Sequence, residues 1–256
     1  MTIEAPAALI VAFVLGVVRA SAWLVLVPPF GTRTIPTVVK VGLAGALALP
    51  AAPRLAETPP SLDIPPLIGA VLLQVAMGLA LGFITMMAFA AVQAAGSLID
   101  LFAGFTVAQA FDPLSGNQSA LFGRFYQLLA ATLLFATNGH ILLFRGFMSS
   151  FDVVGLRTPS FASLADINLD GLGAFMVAAV EIAAPLLAAL FLTEVALGLL
   201  ARAAPQMNVF ILGFPLKILL TLGLVGLVLP ALPGVVDNVV NRSVRSGNEI
   251  VELFEP

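Results

Sequence analysis

Apolar residues run through this chain in long unbroken stretches. Six reach or approach the roughly 20 residues that carry a helix across a bilayer. They lie at about Ala7–Val27, Thr37–Ala52, Leu67–Ala95, Phe125–Met148, Leu172–Ala201 and Met207–Leu232. Val, Leu, Ala and Phe are mixed within them, without the two-residue alternation that a membrane barrel strand needs, so each is predicted to be helical. The second is short, with Lys40 near its start and Pro50 at its end. The third and fifth are longer than an upright span and call for tilt, a kink or a portion outside lipid. Pro28-Pro29, Pro36, Pro50, Pro53, Pro59-Pro60, Pro65-Pro66, Pro159, Pro230 and Pro233 fall at or beyond the predicted ends. Pro185 and Pro215 fall inside, where each is expected to kink its helix by removing a donor and crowding the preceding turn. The longest connections, about Gly96–Arg124 and Ser149–Gly171, leave no room for a soluble domain.

Composition turns this pattern into a class. Apolar residues make up 60% of the 256 and charged residues 10%, with a mean hydropathy of +1.09. One soluble core cannot hide that much apolar surface, so the chain reads as an all-α integral membrane protein. A net charge of −3 gives no footprint for nucleic acid. With no cysteine and His140 as the single histidine, thiolate chemistry and histidine metal clusters are excluded. The first stretch has no basic region ahead of it, so despite Ala20-Ser21-Ala22 it reads as a retained helix. Loop charges give no orientation: Arg33, Lys40, Arg124 and Arg202 on one side balance Arg54, Arg157, Arg242 and Arg245 on the other. Such a tie suggests re-entrant hairpins or support from partner subunits.

Arg19, Arg145, Glu181, Glu194 and Lys217 lie inside the apolar stretches, where a charge at the bilayer centre costs about 2.5–3.5 kcal/mol. They read either as a transport or proton pathway, or as charges that snorkel, pair or contact partners. Glu181 and Glu194 point to different faces of one helix, which disfavours a two-carboxylate site. His140 reads as a hydrogen-bonded structural residue. Gly78 and Gly82 form a GxxxG that lets another helix approach. Leu98, Leu101, Phe102 and Phe105 make a helical stripe with Asp100 off it, followed by a polar turn, Phe111-Asp112-Pro113-Leu114-Ser115-Gly116-Asn117. That turn reads equally as a connection or a pore-lining gate. In the tail, Val235, Val236, Val239, Val240 and Val244 oppose Asp237, Asn238, Asn241, Arg242 and Arg245, an amphipathic helix fit for an interface or a partner groove. No nucleophile, metal or nucleotide motif appears, so no catalytic, cofactor-binding or metal residue is assigned.

Several strings, taken in order, resemble one family. Pro29-Phe30-Gly31-Thr32-Arg33-Thr34-Ile35-Pro36 with Lys40 resembles the P-x-F-G-x-R-x-I-P-x-x-x-K element of the FliR family, the export-gate subunits of flagellar type III secretion and their injectisome counterparts. Phe89–Gly96, Phe111-Asp112-Pro113 and Asn138-Gly139-His140 are similar to its middle region. Ala203–Phe210 and Gly213-Phe214-Pro215-Leu216-Lys217 resemble its C-terminal signature. Asn138-Gly139-His140 favours the flagellar branch.

The resemblance implies a non-enzymatic subunit without a cofactor, in a non-standard topology within a helical hetero-oligomeric gate for unfolded flagellar substrates. Its implied partners are FliP- and FliQ-like subunits, FlhB- and FlhA-like export proteins and membrane lipids. The implied location is the bacterial inner membrane, in the flagellar basal body. Residues 1–171 would be the FliP-like part, including a plug loop at 107–124, residues 172–232 a FliQ-like hairpin and residues 233–256 the amphipathic tail. Arg33, Lys40, His140, Glu181, Glu194, Gln206, Asn208 and Lys217 are its candidate subunit-contact or intramembrane polar residues. The rival from another class is a secondary transporter for a small solute using Glu181, Glu194 and Lys217.

Overall fold

A computed structural model describes residues 5–32, 34–57, 63–106, 120–153 and 161–252. The plug-loop residues Phe111, Asp112, Pro113, Leu114, Ser115, Gly116 and Asn117, together with Arg33, lie outside the described residues. Among those described there is no strand. The elements are α1 (Ala5–Leu26), α2 (Thr37–Leu55), α3 (Ile64–Ala103), α4 (Leu121–Ala136), α5 (Gly139–Val153), α6 (Phe161–Ala203), α7 (Val209–Val228) and α8 (Leu232–Glu252), with a short 3-10 turn at Leu229–Ala231. Five candidate spans are long and apolar enough to cross a membrane, or six if the broken α4–α5 pair counts as one. The all-α membrane class is borne out.

Helix boundaries depart from the hydropathy reading in four places. α2 runs through Pro50 and Pro53 and ends at Leu55, although both prolines were expected at or past the end. One face of α2 is buried through Ala44, Ala48, Ala51, Ala52 and Leu55, and packing of such a face outweighs the lost donors. α3 extends to 40 residues and α6 to 43, taking up much of the predicted connections. Phe125–Met148, read as one stretch, is two helices. They part at Thr137-Asn138, where Asn138 has φ 59°, a left-handed conformation that asparagine tolerates better than most side chains.

The described residues form two compact units. The first is Met1–Ala88, Asn138–Gly173 and Val239–Pro256, and the second is Phe89–Thr137 and Ala174–Asn238. In the first, α1 packs along α2 and also meets α3 through the GxxxG. A Cβ on Gly78 would lie 2.8 Å from the Ala22 Cβ and 3.1 Å from the Trp23 nitrogen. One on Gly82 would lie 3.0 Å from both the Leu26 Cβ and the Trp23 carbonyl oxygen. Trp23 stacks on Phe147 of α5 at 4.5 Å between centroids. The end of α8 docks in this unit too, with Val244 against Gly146, and its Val239 and Val240 are buried.

The stripe at the end of α3 is turned the other way from a core face. Leu101 and Phe102 are exposed, whereas Ala95, Ile99, Asp100 and Ala103 are fully buried. Ala95 and Ala103 turn inward beside Ile99 and Asp100, while Leu101 and Phe102 turn outward, which is common where the surroundings are themselves apolar.

Candidate functional site

Polar side chains within membrane-length helices need partners, and two clusters show how this chain supplies them. In the first unit, Arg19 is completely buried. Its Nε donates to Gln74 Oε1 at 2.6 Å, and a terminal nitrogen donates to the Ser150 carbonyl oxygen at 2.8 Å. The guanidinium lies over the Phe151 ring, 4.4 Å from its centroid. One arginine thus joins α1, α3 and α5 through hydrogen bonds and a cation–π contact. Nearby, the P-F-G element forms a tight turn. Gly31 donates to the Val27 carbonyl, Thr32 Oγ1 to the Pro29 carbonyl, and Lys40 Nζ to the Thr32 carbonyl at 2.9 Å. A Cβ on Gly31 would run into the Val25 carbonyl oxygen, so this turn admits only glycine there.

In the second unit, Asp100 of α3 receives the backbone N–H groups of Phe122 and Gly123 at 3.0 Å each. It thereby caps the first turn of α4 from a different helix. Gly104, with φ 85°, sits where a Cβ would come within 2.7 Å of the Phe214 ring. Between α6 and α7, Lys217 forms an ion pair with Glu194. Cavities of about 250 and 300 Å³ flank this pair, one lined by Leu197 and Gly213, the other by Leu101 and Phe191. A larger groove of about 610 Å³ runs beside Ala90, Gln93, Leu98, Phe175 and Met176.

The remaining candidates are dispersed. Glu181 is exposed and His140 half-buried. Gln206 and Asn208 sit on the exposed turn between α6 and α7, where Asn208 Oδ1 accepts from the Ile211 N–H and caps α7. Glu194 and Lys217 are brought together, whereas Asp100, left off the stripe in the sequence reading, is one of the best-connected polar groups. Among the described residues, no group of three His, Asp or Glu could hold a metal.

These arrangements pin helices to one another. The family profile described as "Bacterial export proteins, family 1" matches residues 10–243. The chain belongs to that family. The Flagellar biosynthetic protein FliR of Bacillus subtilis (strain 168) is 36% identical over 247 residues, covering 94% of this chain and 95% of the relative. FliR of Escherichia coli (strain K12) is 32% identical over 217 residues, with coverage of 83% and 82%. The Yop proteins translocation protein T of Yersinia pestis is 28% identical over 209 residues, 78% of each chain. The resemblance read from the motifs is borne out. This is a FliR-family protein, a membrane-bound component of the bacterial flagellar type of protein export.

Proposed function

We propose that this chain is a structural subunit of the flagellar type III export gate. It assembles with FliP- and FliQ-like subunits, and with FlhB- and FlhA-like export proteins beside them, around a path for unfolded flagellar proteins. It does so as a multi-pass protein of the bacterial inner membrane, in the basal body. The observation that carries this reading is the similarity to a flagellar relative along 94% of the chain. The lower identity and coverage of the Yop translocation relative favour the flagellar over the injectisome branch. Residues 1–171 form the FliP-like part and 172–232 the FliQ-like hairpin, a division supported by the capped turn at Asn208 and by the Glu194–Lys217 pair across α6 and α7. The segment around Phe111-Asp112-Pro113 serves as the plug of the closed channel.

A solute pathway finds less support, because Glu194 is engaged with Lys217 and Glu181 stands apart. A strain lacking this chain should make filament proteins but export none, and regain export when the chain is restored. Continued export without it would contradict the gate reading. So would solute uptake by the purified chain in proteoliposomes that is lost in Glu194→Gln.

A further inference from the structure

In the second unit α6 turns one stripe of its surface inward. Ala179, Ala183, Leu186 and Leu190 are buried along it, spaced as one face of a helix. Glu181 stands two residues from both Ala179 and Ala183, about 200° around the axis, and it is exposed. It therefore points away from the buried side of its helix. The residues that share its outward face are apolar: Val177 one turn before it, and Ala184, Ala188 and Leu192 in the turns after it, all exposed. The whole face lies within Gly171–Ala203, a stretch long and apolar enough to cross a membrane.

The backbone adds to the demand at this position. In an α-helix the carbonyl of residue 181 accepts from the N–H of residue 185. Here that residue is Pro185, inside α6, which has no N–H to give. Glu181 thus presents a carboxylate and, beside it, a carbonyl oxygen deprived of its usual donor. Both are acceptors. Among the described residues no side chain pairs with that carboxylate, whereas Glu194, farther along the same helix, has Lys217. A carboxylate is costly against lipid, and exposing this face to water would put Val177 and Leu192 there with it. An apolar face with one charge at its centre suits a protein contact in which that charge sets the register.

We propose that this face receives an apolar helix of a neighbouring export-gate subunit, which sets one lysine or arginine against Glu181. The counter-charge that Lys217 gives Glu194 from within the chain comes to Glu181 from outside. The small side chains of Ala184 and Ala188 let the incoming backbone approach closely. The basic side chain has several donors and can serve both the carboxylate and the freed carbonyl. A helix without a base at that level would leave the carboxylate buried and unpaired, so the contact selects its partner as well as holding it. This rests on the reading of the chain as a gate subunit.

The test uses the full chain, tagged and co-expressed with FliP- and FliQ-like subunits. A photoreactive phenylalanine analogue incorporated at Val177 should crosslink to one other export subunit, in a helix that carries a lysine or arginine. Glu181→Lys should lower the recovered complex at least about tenfold, because like charges then face each other across the contact. Changing that partner base to glutamate should restore the Glu181→Lys complex. Full recovery of the Glu181→Lys complex without any change in the partner would overturn the proposal, since the face would then be open to water. Crosslinks to lipid alone, to a second copy of this chain or to nothing would overturn it too. So would a loss that no reversal in the crosslinked helix repairs, which would make Glu181 a folding residue. In each of these cases the native chain still co-purifies with the export subunits and the gate reading stands. A native chain that recovers none of them removes the gate reading, and this contact with it.

Discussion

Arg19 and Asp100 show what a buried polar side chain does in a chain with so few of them. Each is fully enclosed, and each is satisfied by groups on other helices. Arg19 binds residues 55 and 131 positions away, and Asp100 binds residues 22 and 23 positions away. Replacing Arg19 by methionine keeps the bulk and removes the hydrogen bonds donated to Gln74 Oε1 and the Ser150 carbonyl, at about 1–3 kcal/mol each. We expect the melting temperature of the detergent-solubilised complex to drop by several degrees. Arg19→Lys should recover only part of it, since an ammonium cannot serve both acceptors and lie flat on Phe151; full recovery would show that charge alone matters. The sequence marks Arg19 as an intramembrane charge and Asp100 merely as a residue off a stripe. Neither partner set was legible, because hydropathy and spacing report which way a residue points on its own helix and carry no information about which helix crosses there.

Helices were legible as elements because roughly 20-residue apolar stretches have few other ways to satisfy their backbone in lipid. Their limits were less so. Hydropathy falls where polar residues begin, yet α3 continues past Gly96 to Ala103 and α6 begins at Phe161, since a packed helix does not stop when it leaves an apolar environment. Proline misled at α2 for the same reason. The GxxxG of α3 was visible, and it proved to be the crossing point with α1. The break at Asn138 was hidden inside an apolar stretch, although the Asn-Gly pair there is itself a turn signal. Its left-handed backbone gives a direct check. Asn138→Gly should leave the stability of the assembled gate unchanged or slightly raised, whereas Asn138→Val should cost about 1–2 kcal/mol. Equal thermal stability of the two variants would show that the turn does not depend on that conformation.

Taken as a single chain, the protein turns much of its apolar and small-residue surface outward. Val38 is 82% exposed and Leu227 76%, and Gly42, Gly198, Gly223 and Gly226 have nothing near the place a Cβ would occupy. Small open positions of this kind allow other helices to come close. Glu181 and Glu194, also exposed on a membrane-length helix, are costly against lipid and are tolerated against protein or water. Balanced loop charges fit the same picture, and they are why orientation could not be read from the sequence. Co-expression with FliP- and FliQ-like subunits, followed by purification in mild detergent through a tag on this chain, puts the matter to the test. We expect one complex of fixed stoichiometry, with little stable chain recovered when the other subunits are omitted. Recovery of this chain as a folded, monodisperse monomer that ignores those subunits would contradict its role as part of a gate.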